Sequence, residues 1–275
     1  QLLFVASVTF IACLVAMPAK AEKLSNLYTA TWPVDSQATS ARTQAIKNSL
    51  QQALIRASGS KDVVRAPAIQ SALSDAESYL RRYSYQRLSA AEQMIYEKPL
   101  LLKATFDQQS IVNLLKSASL PIWGEDRPSG IFWIALDNGG ERRIASDQTR
   151  SIVAALDIAA QSRGLPVSLP LMDIDDQSAL EVADVWGRFE APVEAASKRY
   201  GSDYWVAASL SEGPNQWQAT WKVNLYGQTQ TFTTSGLTAY EAIQGAVNRI
   251  ADALASKLAV VLSEQAQEVL ISIEN

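Results

Sequence analysis

The chain has 275 residues, with 24 Lys and Arg against 28 Asp and Glu, which gives a formal net charge of −4 at pH 7. This mild acidic balance lacks the basic surface that displaces counterions from a nucleic acid, so we expect no nucleic-acid partner. The chain contains no histidine. That absence excludes Ser-His-Asp and Cys-His catalytic systems and removes the commonest zinc ligand.

Residues 1–21 have the pattern of a secretory signal peptide. The run from Leu2 to Met17 is mostly apolar, but it is shorter than the roughly 20 residues that a spanning helix needs. Ala19 and Ala21 place small side chains where signal peptidase requires them. We therefore expect cleavage before Glu22, a periplasmic mature protein and no stable membrane span after cleavage. Cys13 is the one cysteine, so the mature protein would have neither a disulfide nor a thiol ligand.

Residues 22–119 are predicted to form a first domain of the α+β class. The apolar periodicity predicts a strand at 27–34, helices at 41–57 and 67–83, strands at 83–88 and 100–106, and a further helix after Asp107. Gly59 is placed to end the first helix in a left-handed conformation. Asp107 is placed to cap the last helix of this domain.

Residues 120–130 are predicted to be a linker between two domains. Pro121, Gly124 and Pro128 interrupt every periodic pattern in this segment. Because Trp123 and its neighbours are too apolar for a free tether, we expect the linker to be packed against both domains.

Residues 131–262 are predicted to form a second, α/β domain, followed by a C-terminal tail at 263–275. Strands are expected at 131–136, 167–171 and 204–210, with a helix at 147–163 and further helical turns at 180–185 and 193–200. This alternation indicates parallel pairing. An antiparallel meander follows over 217–234, and the last helix starts at Thr238, with Glu241 completing a capping box. The fold class is thus α+β or α/β, with two small domains and a mixed sheet flanked by helices in the second.

The densest acidic run comprises Asp173, Asp175, Asp176, Glu181 and Asp184. Counted from Asp173 as an EF-type calcium loop, the sixth position is Ser178 where glycine is needed, and the twelfth is Asp184 in place of a bidentate Glu. The favoured interpretation is therefore helix capping in a solvated loop. A bound cation in this segment stays open.

Two other patterns suggest chemistry weakly. Ser58-Gly59-Ser60-Lys61 matches S-x-x-K, but the match falls at the end of a predicted helix, where a glycine cap explains it better. Trp217 and Trp221 lie on one face of a predicted strand and could form a glycan platform. Their alternation with polar residues is more typical of a core face.

Several strings of this sequence resemble the gammaproteobacterial exported family called domain of unknown function 2066. They include Leu27-Tyr28, Tyr83-Ser84-Tyr85, Leu120 to Gly124, and Trp133-Ile134-Ala135. The resemblance covers most of the mature chain and implies an envelope location, but it implies no activity and no site residues. The element order of residues 131–262 is also similar to the small α/β domains of bacterial envelope assembly factors.

No catalytic, cofactor-binding or metal-binding residue is assigned from the sequence, and we expect no cofactor. The favoured hypothesis is a non-enzymatic periplasmic accessory protein that binds another cell-envelope component, its partner being an envelope protein. Two alternatives stay open. One is a carboxylate-dependent hydrolase or transferase that uses Asp173, Asp175 and Asp176, and the other is a glycan-binding module.

Overall fold

The structure is a computed structural model that describes residues 22–23 and 27–262. The predicted signal peptide at 1–21 and the predicted tail at 263–275 lie outside the described residues.

The α-helices of the described residues are numbered in chain order. They are α1 (Thr39–Ser58), α2 (Pro67–Ser74), α3 (Ala90–Tyr96), α4 (Gln108–Ser117), α5 (Arg150–Arg163), α6 (Ile174–Ala179), α7 (Val182–Gly187), α8 (Glu190–Ser197) and α9 (Ala239–Leu258).

The strands are numbered in the same way. They are β1 (Glu22–Lys23), β2 (Thr29–Val34), β3 (Leu80–Arg87), β4 (Leu100–Phe106), β5 (Pro121–Ile122), β6 (Asp126–Arg127), β7 (Gly130–Asp137), β8 (Arg143–Ile144), β9 (Val167–Ser168), β10 (Tyr204–Glu212), β11 (Trp217–Leu225), β12 (Gln228–Gly236) and β13 (Val260–Val261).

The first half of the described chain forms an antiparallel sheet in the order β2-β4-β3. Leu50 and Leu54 of α1 pack with Leu102 and Phe106 of β4 in a core of their own. These residues are buried because α1 presents one apolar stripe to the sheet, as its period of three to four residues predicts.

The second half forms a six-stranded sheet in the order β12-β11-β10-β7-β8, with β9 paired to β7. β7 pairs in parallel with β10 and β9, whereas β8 and the β10-β11-β12 meander are antiparallel. The predicted mixed sheet flanked by helices is therefore confirmed. The continuous apolar run of β7 is buried on both faces, since Phe132 packs with residues of α5 and α9 and Trp133 packs with residues of α7 and α8.

Arg127, a residue of the segment predicted as a linker, joins the ends of two helices. It is fully buried and stacks on the buried Trp123, with its guanidinium carbon 3.7 Å from the ring centroid. Its Nη2 donates to the carbonyl of Arg56 in α1 at 2.7 Å, and its Nη1 donates to the carbonyl of Arg163 in α5 at 3.4 Å. A cation at two helix C-termini satisfies carbonyls that have no partner within the helices. The domain boundaries themselves stay a prediction.

Both ends of the described chain pair with this same segment. β1 is antiparallel to β6, with Glu22 opposite Arg127. β13 is antiparallel to β5, with Val260 opposite Ile122.

Two local predictions need correction, and one helix was not predicted. The helix predicted over 67–83 ends at Ser74, and a 3-10 turn at Ala76–Tyr79 leads directly into β3. The strand predicted at 167–171 extends only from Val167 to Ser168. The helix α3 was not predicted, although a complete capping box between Ser89 and Glu92 starts it. Within the described ranges, no helix is both long and apolar enough to cross a bilayer.

Candidate functional site

Two adjoining cavities follow the exposed side of α5. The acidic cavity has a volume of about 520 Å³ and is lined by residues of α3, α5 and the first sheet, among them Glu92, Asp147 and Asp157. The cationic cavity has a volume of about 410 Å³ and is lined by residues of α1, α5 and α9. Tyr96 and Ile158 line both cavities. We call the two cavities together the α5 groove.

The sequence of α5 explains how one helix serves both the core and the groove. Ile152, Leu156 and Ala159 are buried against the six-stranded sheet. Asp157 and Gln161, one helical turn apart on the opposite side, line the acidic cavity. The helix ends at Arg163, and Gly164 after it adopts the left-handed conformation, φ 66°, that the sequence predicted.

Arg163, the last residue of α5, is the buried anchor of the cationic cavity. Its side chain is 2% exposed, and its Nη2 donates to Asp252 Oδ1 at 2.6 Å and to the carbonyl of Gly59 at 2.8 Å. Its Nη1 donates to the carbonyl of Asn248 at 3.1 Å. Within the described part of the chain its Nε is buried and makes no hydrogen bond. The guanidinium is therefore held by protein groups, and Asp252 pairs with its charge.

Lys61 adds a second, accessible cation to the cationic cavity. A 3-10 turn positions it, started by Ser60, whose Oγ accepts a hydrogen bond from the backbone N–H of Asp62. Partial burial and then the neighbouring Arg163 lower the pKa of Lys61, while Asp252 opposes them. The positive charge at this end is therefore only partly compensated by the protein.

Amides and phenols line the rest of the cationic cavity. The amides include Asn48, Gln51 and Gln244, and the rings include Tyr96 and Tyr240. Burial raises the pKa of Tyr96 and of Tyr240, so both hydroxyls stay neutral and able to donate at neutral pH. Such groups recognise neutral polar atoms of a ligand through hydrogen bonds.

The acidic cavity holds Asp157, a partly buried carboxylate. Burial and then the neighbouring Glu92 raise the pKa of Asp157. Glu92 is held in place because its Oε2 accepts a hydrogen bond from the backbone N–H of Ser89 at 2.7 Å, which completes the cap of α3. A cation bound between these two carboxylates would relieve their repulsion.

Two serine hydroxyls among the described residues line the groove, and Ser89 Oγ accepts a hydrogen bond from the backbone N–H of Glu92 at 3.3 Å. Ser162, the hydroxyl of α5 in the cationic cavity, donates to the carbonyl of Ala159 at 2.6 Å. The described residues also include no group of His, Cys, Asp or Glu that could hold a metal ion.

The acidic run at 173–184 is structural in this fold. Asp173 caps α6, and Asp184 completes a capping box with Glu181 at the start of α7. Arg199 binds Asp173 at 2.6 Å and the fully buried Asp176 at 2.9 Å. We call Arg199, Asp173, Asp176 and Tyr200 the Arg199 cluster, because Tyr200 also donates to Asp176, at 2.6 Å.

The other two sequence patterns also lie in structural positions. Trp221 is fully buried, and its Nε1 donates to Thr234 at 2.7 Å, while Trp217 packs half-buried against the same core. Gly59 ends α1 with φ 75°, as predicted, and Ser58 donates to backbone carbonyls of its own turn. Neither pattern forms a platform or a nucleophile.

Part of the chain matches a protein-family model. The family model of a domain of unknown function, DUF8605, matches residues 21–124. This finding supports an uncharacterised domain in the first part of the chain. It does not support the narrower assignment to domain of unknown function 2066 or a gammaproteobacterial origin. No curated protein matches the chain.

Comparison with solved structures gives weak likenesses. The chain is similar to the LpoB C-terminal domain from Salmonella enterica, with 11% identity, 40% of this chain and 83% of that chain covered, and a TM-score of 0.27. It is similar to the competence damage-inducible protein A (ComA) from Klebsiella pneumoniae, with 18% identity, coverages of 55% and 93%, and a TM-score of 0.27. A competence-damaged protein (CinA) superfamily protein from Escherichia coli gives 15% identity, coverages of 54% and 86%, and a TM-score of 0.27. Likenesses at this level carry no argument about function.

Proposed function

We propose that this protein is a non-enzymatic, exported accessory protein that binds another component of the cell envelope, and that the α5 groove is its binding site. One observation carries the proposal: the groove gathers amides, phenols and separated charges. A site of this composition can hold a polar ligand.

The compartment is part of the proposal. It rests on the signal-peptide pattern of residues 1–21, which predicts a mature protein that begins at Glu22. N-terminal sequencing of the exported form tests it. A start at an acylated Cys13, or a retained N-terminus, would contradict it.

Site-specific photo-crosslinking in cells tests the binding site. A photoreactive benzoylphenylalanine replaces Gln51, which lines the cationic cavity, and in a control it replaces Gln230, an exposed residue of β12. We expect a defined adduct from position 51 and none from position 230. Adducts of equal yield from both positions, or none from either, would contradict the proposal.

A matched pair of helix substitutions separates blocking of the groove from loss of the fold. Ser162→Trp fills the cationic cavity from α5, whereas Ser151→Trp places the same ring on an exposed position of the same helix. We expect the first to abolish the adduct and the second to leave it, with similar melting temperatures. An adduct that survives Ser162→Trp would place binding elsewhere.

An enzymatic alternative now rests on different residues from those that the sequence suggested. Asp157 has a raised pKa, and Glu92 lies in the same cavity. A carboxyl group whose pKa is raised, beside a second carboxylate, could act as a general acid. A single substitution Asp157→Asn that abolishes turnover of a bound substrate while leaving its binding intact would favour this alternative over ours.

A further inference from the structure

The strand β3 leaves one edge of the first sheet open. It is eight residues long, stands last in the order β2-β4-β3, and pairs with β4 alone among the described strands. A bulge lies between Leu80 and Arg82, but the residues from Arg82 to Arg87 run in unbroken register with β4. Six consecutive residues therefore form a regular open edge, to which a further extended chain can bond through its backbone.

The side chains of this edge are cationic and lack partners. Arg81, Arg82 and Arg87 are exposed, and β3 contains no acidic residue. Arg81 lies 3.9 Å from Asp107, whereas Arg82 and Arg87 make no ion pair with any described residue. These two guanidinium groups can therefore bind the carboxylates of a ligand.

The cations lie on both faces of the edge. Because successive side chains point to opposite faces of a strand, Arg82 lies on one face, and Tyr83 and Arg87 lie on the other. Lys103 of β4 adds an exposed cation to the face of Arg82. Arg42 of α1 adds one to the other face, where its guanidinium carbon is 5.7 Å from the ring centroid of Tyr83. Acidic side chains of an added strand would meet a cation on either face.

Charge decides which chain can occupy this edge. A second copy of β3 would bring three more arginines to the seam, and like charges on adjacent strands are destabilising. The other long edge strand, β12, runs over nine residues without a charged side chain, so it specifies no charge in a partner. The edge of β3 therefore disfavours self-pairing and selects an acidic partner.

We infer that the open edge of β3 binds an acidic, extended segment of another protein, which adds to the sheet as a further antiparallel strand. Arg82 and Arg87 are five positions apart and lie on opposite faces. The segment therefore carries two acidic residues, also five positions apart, one for each arginine. This inference goes beyond the proposed function, which concerns the α5 groove.

The register defines a specific probe peptide. Its sequence is Glu-Thr-Val-Thr-Val-Glu with both termini blocked, so that antiparallel pairing places its first glutamate opposite Arg87 and its last opposite Arg82. Valine falls opposite Tyr83 and Tyr85, because β-branched and aromatic side chains pair well across strands. The residue opposite Gln86 is uncharged, since Gln86 also lines the acidic cavity.

A nuclear magnetic resonance titration of the exported protein with this peptide tests the inference. We expect saturable shifts of the backbone amides of β3, and about fivefold weaker binding of Gln-Thr-Val-Thr-Val-Gln, the loss expected for two exposed ion pairs. The amides of β12 should not shift, because that edge carries no charge. Shifts of equal size in both edge strands, equal affinity for the two peptides, or no binding would overturn the inference.

Two N-methylated peptides distinguish strand addition from charge attraction alone. Alternate residues of an antiparallel strand bond to the same neighbour. Methyl groups on the first, third and fifth nitrogens therefore block one edge of the peptide, and methyl groups on the second, fourth and sixth block the other. We expect one of these peptides to lose binding and the other to keep it. Equal affinity of the two would contradict pairing as a strand.

A charge exchange assigns the two arginines and controls for folding. In the double variant Arg82→Glu and Arg87→Glu we expect the acidic peptide to lose binding and Lys-Thr-Val-Thr-Val-Lys to bind in its place. Arg65→Glu, which reverses a side chain 83% exposed in the turn after α1, should keep the preference for the acidic peptide. A folded double variant that binds neither peptide would overturn the assignment.

Deletion of residues 263–275 tests the chain's own tail as the occupant. This segment contains Glu264, Glu268 and Glu274 and no Lys or Arg. We expect its deletion to leave the affinity for the acidic peptide unchanged. A clear gain in affinity would show that the tail competes for the edge and would overturn the inference of a foreign partner.

Discussion

At the scale of single residues, the Arg199 cluster determines which acidic side chains can be replaced without loss of folding stability. Asp176 is fully buried, bonds to Arg199 and Tyr200, and accepts a hydrogen bond from the backbone N–H of Met172 at 2.9 Å. We expect Asp176→Ala to lower the free energy of unfolding by about 3 kcal/mol, because it leaves buried donors and a cation without their partner.

Asp175 supplies the control for that prediction. It lies 3.8 Å from Arg199 with its side chain 83% exposed, so Asp175→Ala should cost almost nothing. Urea denaturation of both variants checks the difference. Equal losses of stability would show that the cluster does not depend on the buried carboxylate.

The same cluster gives a pH-dependent prediction at Asp173. A hydrogen bond from Arg199, and then one from the backbone of Asp176, lower the pKa of Asp173 to about 2. A carboxyl whose pKa is lower in the folded state contributes stability above its unfolded pKa and loses it as the pH falls through the folded value. We therefore expect Asp173→Asn to melt below the wild type at pH 7 and to match it near pH 2. A difference that persists unchanged at pH 2 would contradict this assignment.

At the scale of elements, the end of α1 depends on a glycine for two separate reasons. Gly59 has φ 75°, and a Cβ there would lie 2.6 Å from the Cβ of Ala255 and 2.8 Å from the ring of Trp123. Gly139 has φ 78° with open space around it. We expect Gly59→Ala to lower the free energy of unfolding by about 1 to 3 kcal/mol more than Gly139→Ala, since only the first adds overpacking to backbone strain. Denaturant unfolding measures the loss of stability in both variants. Equal losses would exclude a contribution from steric overpacking at Gly59.

Local signals explain which elements could be predicted from the sequence. Gly59, Gly164 and Asp107 mark helix ends through backbone conformation or a short-range hydrogen bond, and each lies where it was predicted. Thr238 also caps α9, although Glu241 bonds to the backbone N–H of Leu237 instead of that of Thr238. Such interactions involve neighbours in the chain, so the sequence contains them.

Elements decided by tertiary packing were harder to predict. The apolar positions between Pro67 and Tyr83 fit one helix, but the chain turns at Asp75 and passes into β3, where pairing with β4 determines the conformation. The α5 groove could not be predicted at all. Its charged residues come from the turn after α1, from α3 and from α5, and no local spacing connects them.

At the scale of the whole molecule, Arg127 connects the two halves of the described chain. Its hydrogen bonds reach the carbonyls of Arg56 in α1 and Arg163 in α5, and burial, then Arg56, lowers its pKa to about 9, so it remains charged at neutral pH. We expect Arg127→Met to lower the free energy of unfolding by about 3 kcal/mol, because buried carbonyls at two helix ends lose their donor.

An exposed arginine, Arg81, supplies the control for the Arg127→Met substitution. Arg81 lies 3.9 Å from Asp107 with its side chain 67% exposed, so Arg81→Met should change stability little. Thermal unfolding followed by tryptophan fluorescence and by far-ultraviolet circular dichroism should give coincident transitions in the wild type and separated ones in Arg127→Met. Coincident transitions in both proteins would show that other contacts hold the halves together.

The pairing of β1 with β6 and of β13 with β5 has a topological consequence. Because both strands add to the same short segment, the two ends of the described chain emerge from one region of the surface. A short Gly/Ser connection could therefore join residue 262 to residue 22, and new ends could be opened at the exposed turn Asn138–Gly140. Circular permutation of this kind succeeds where the native ends are close and the new break falls in an exposed turn. The order of the halves along the chain would then be reversed without moving the groove between them.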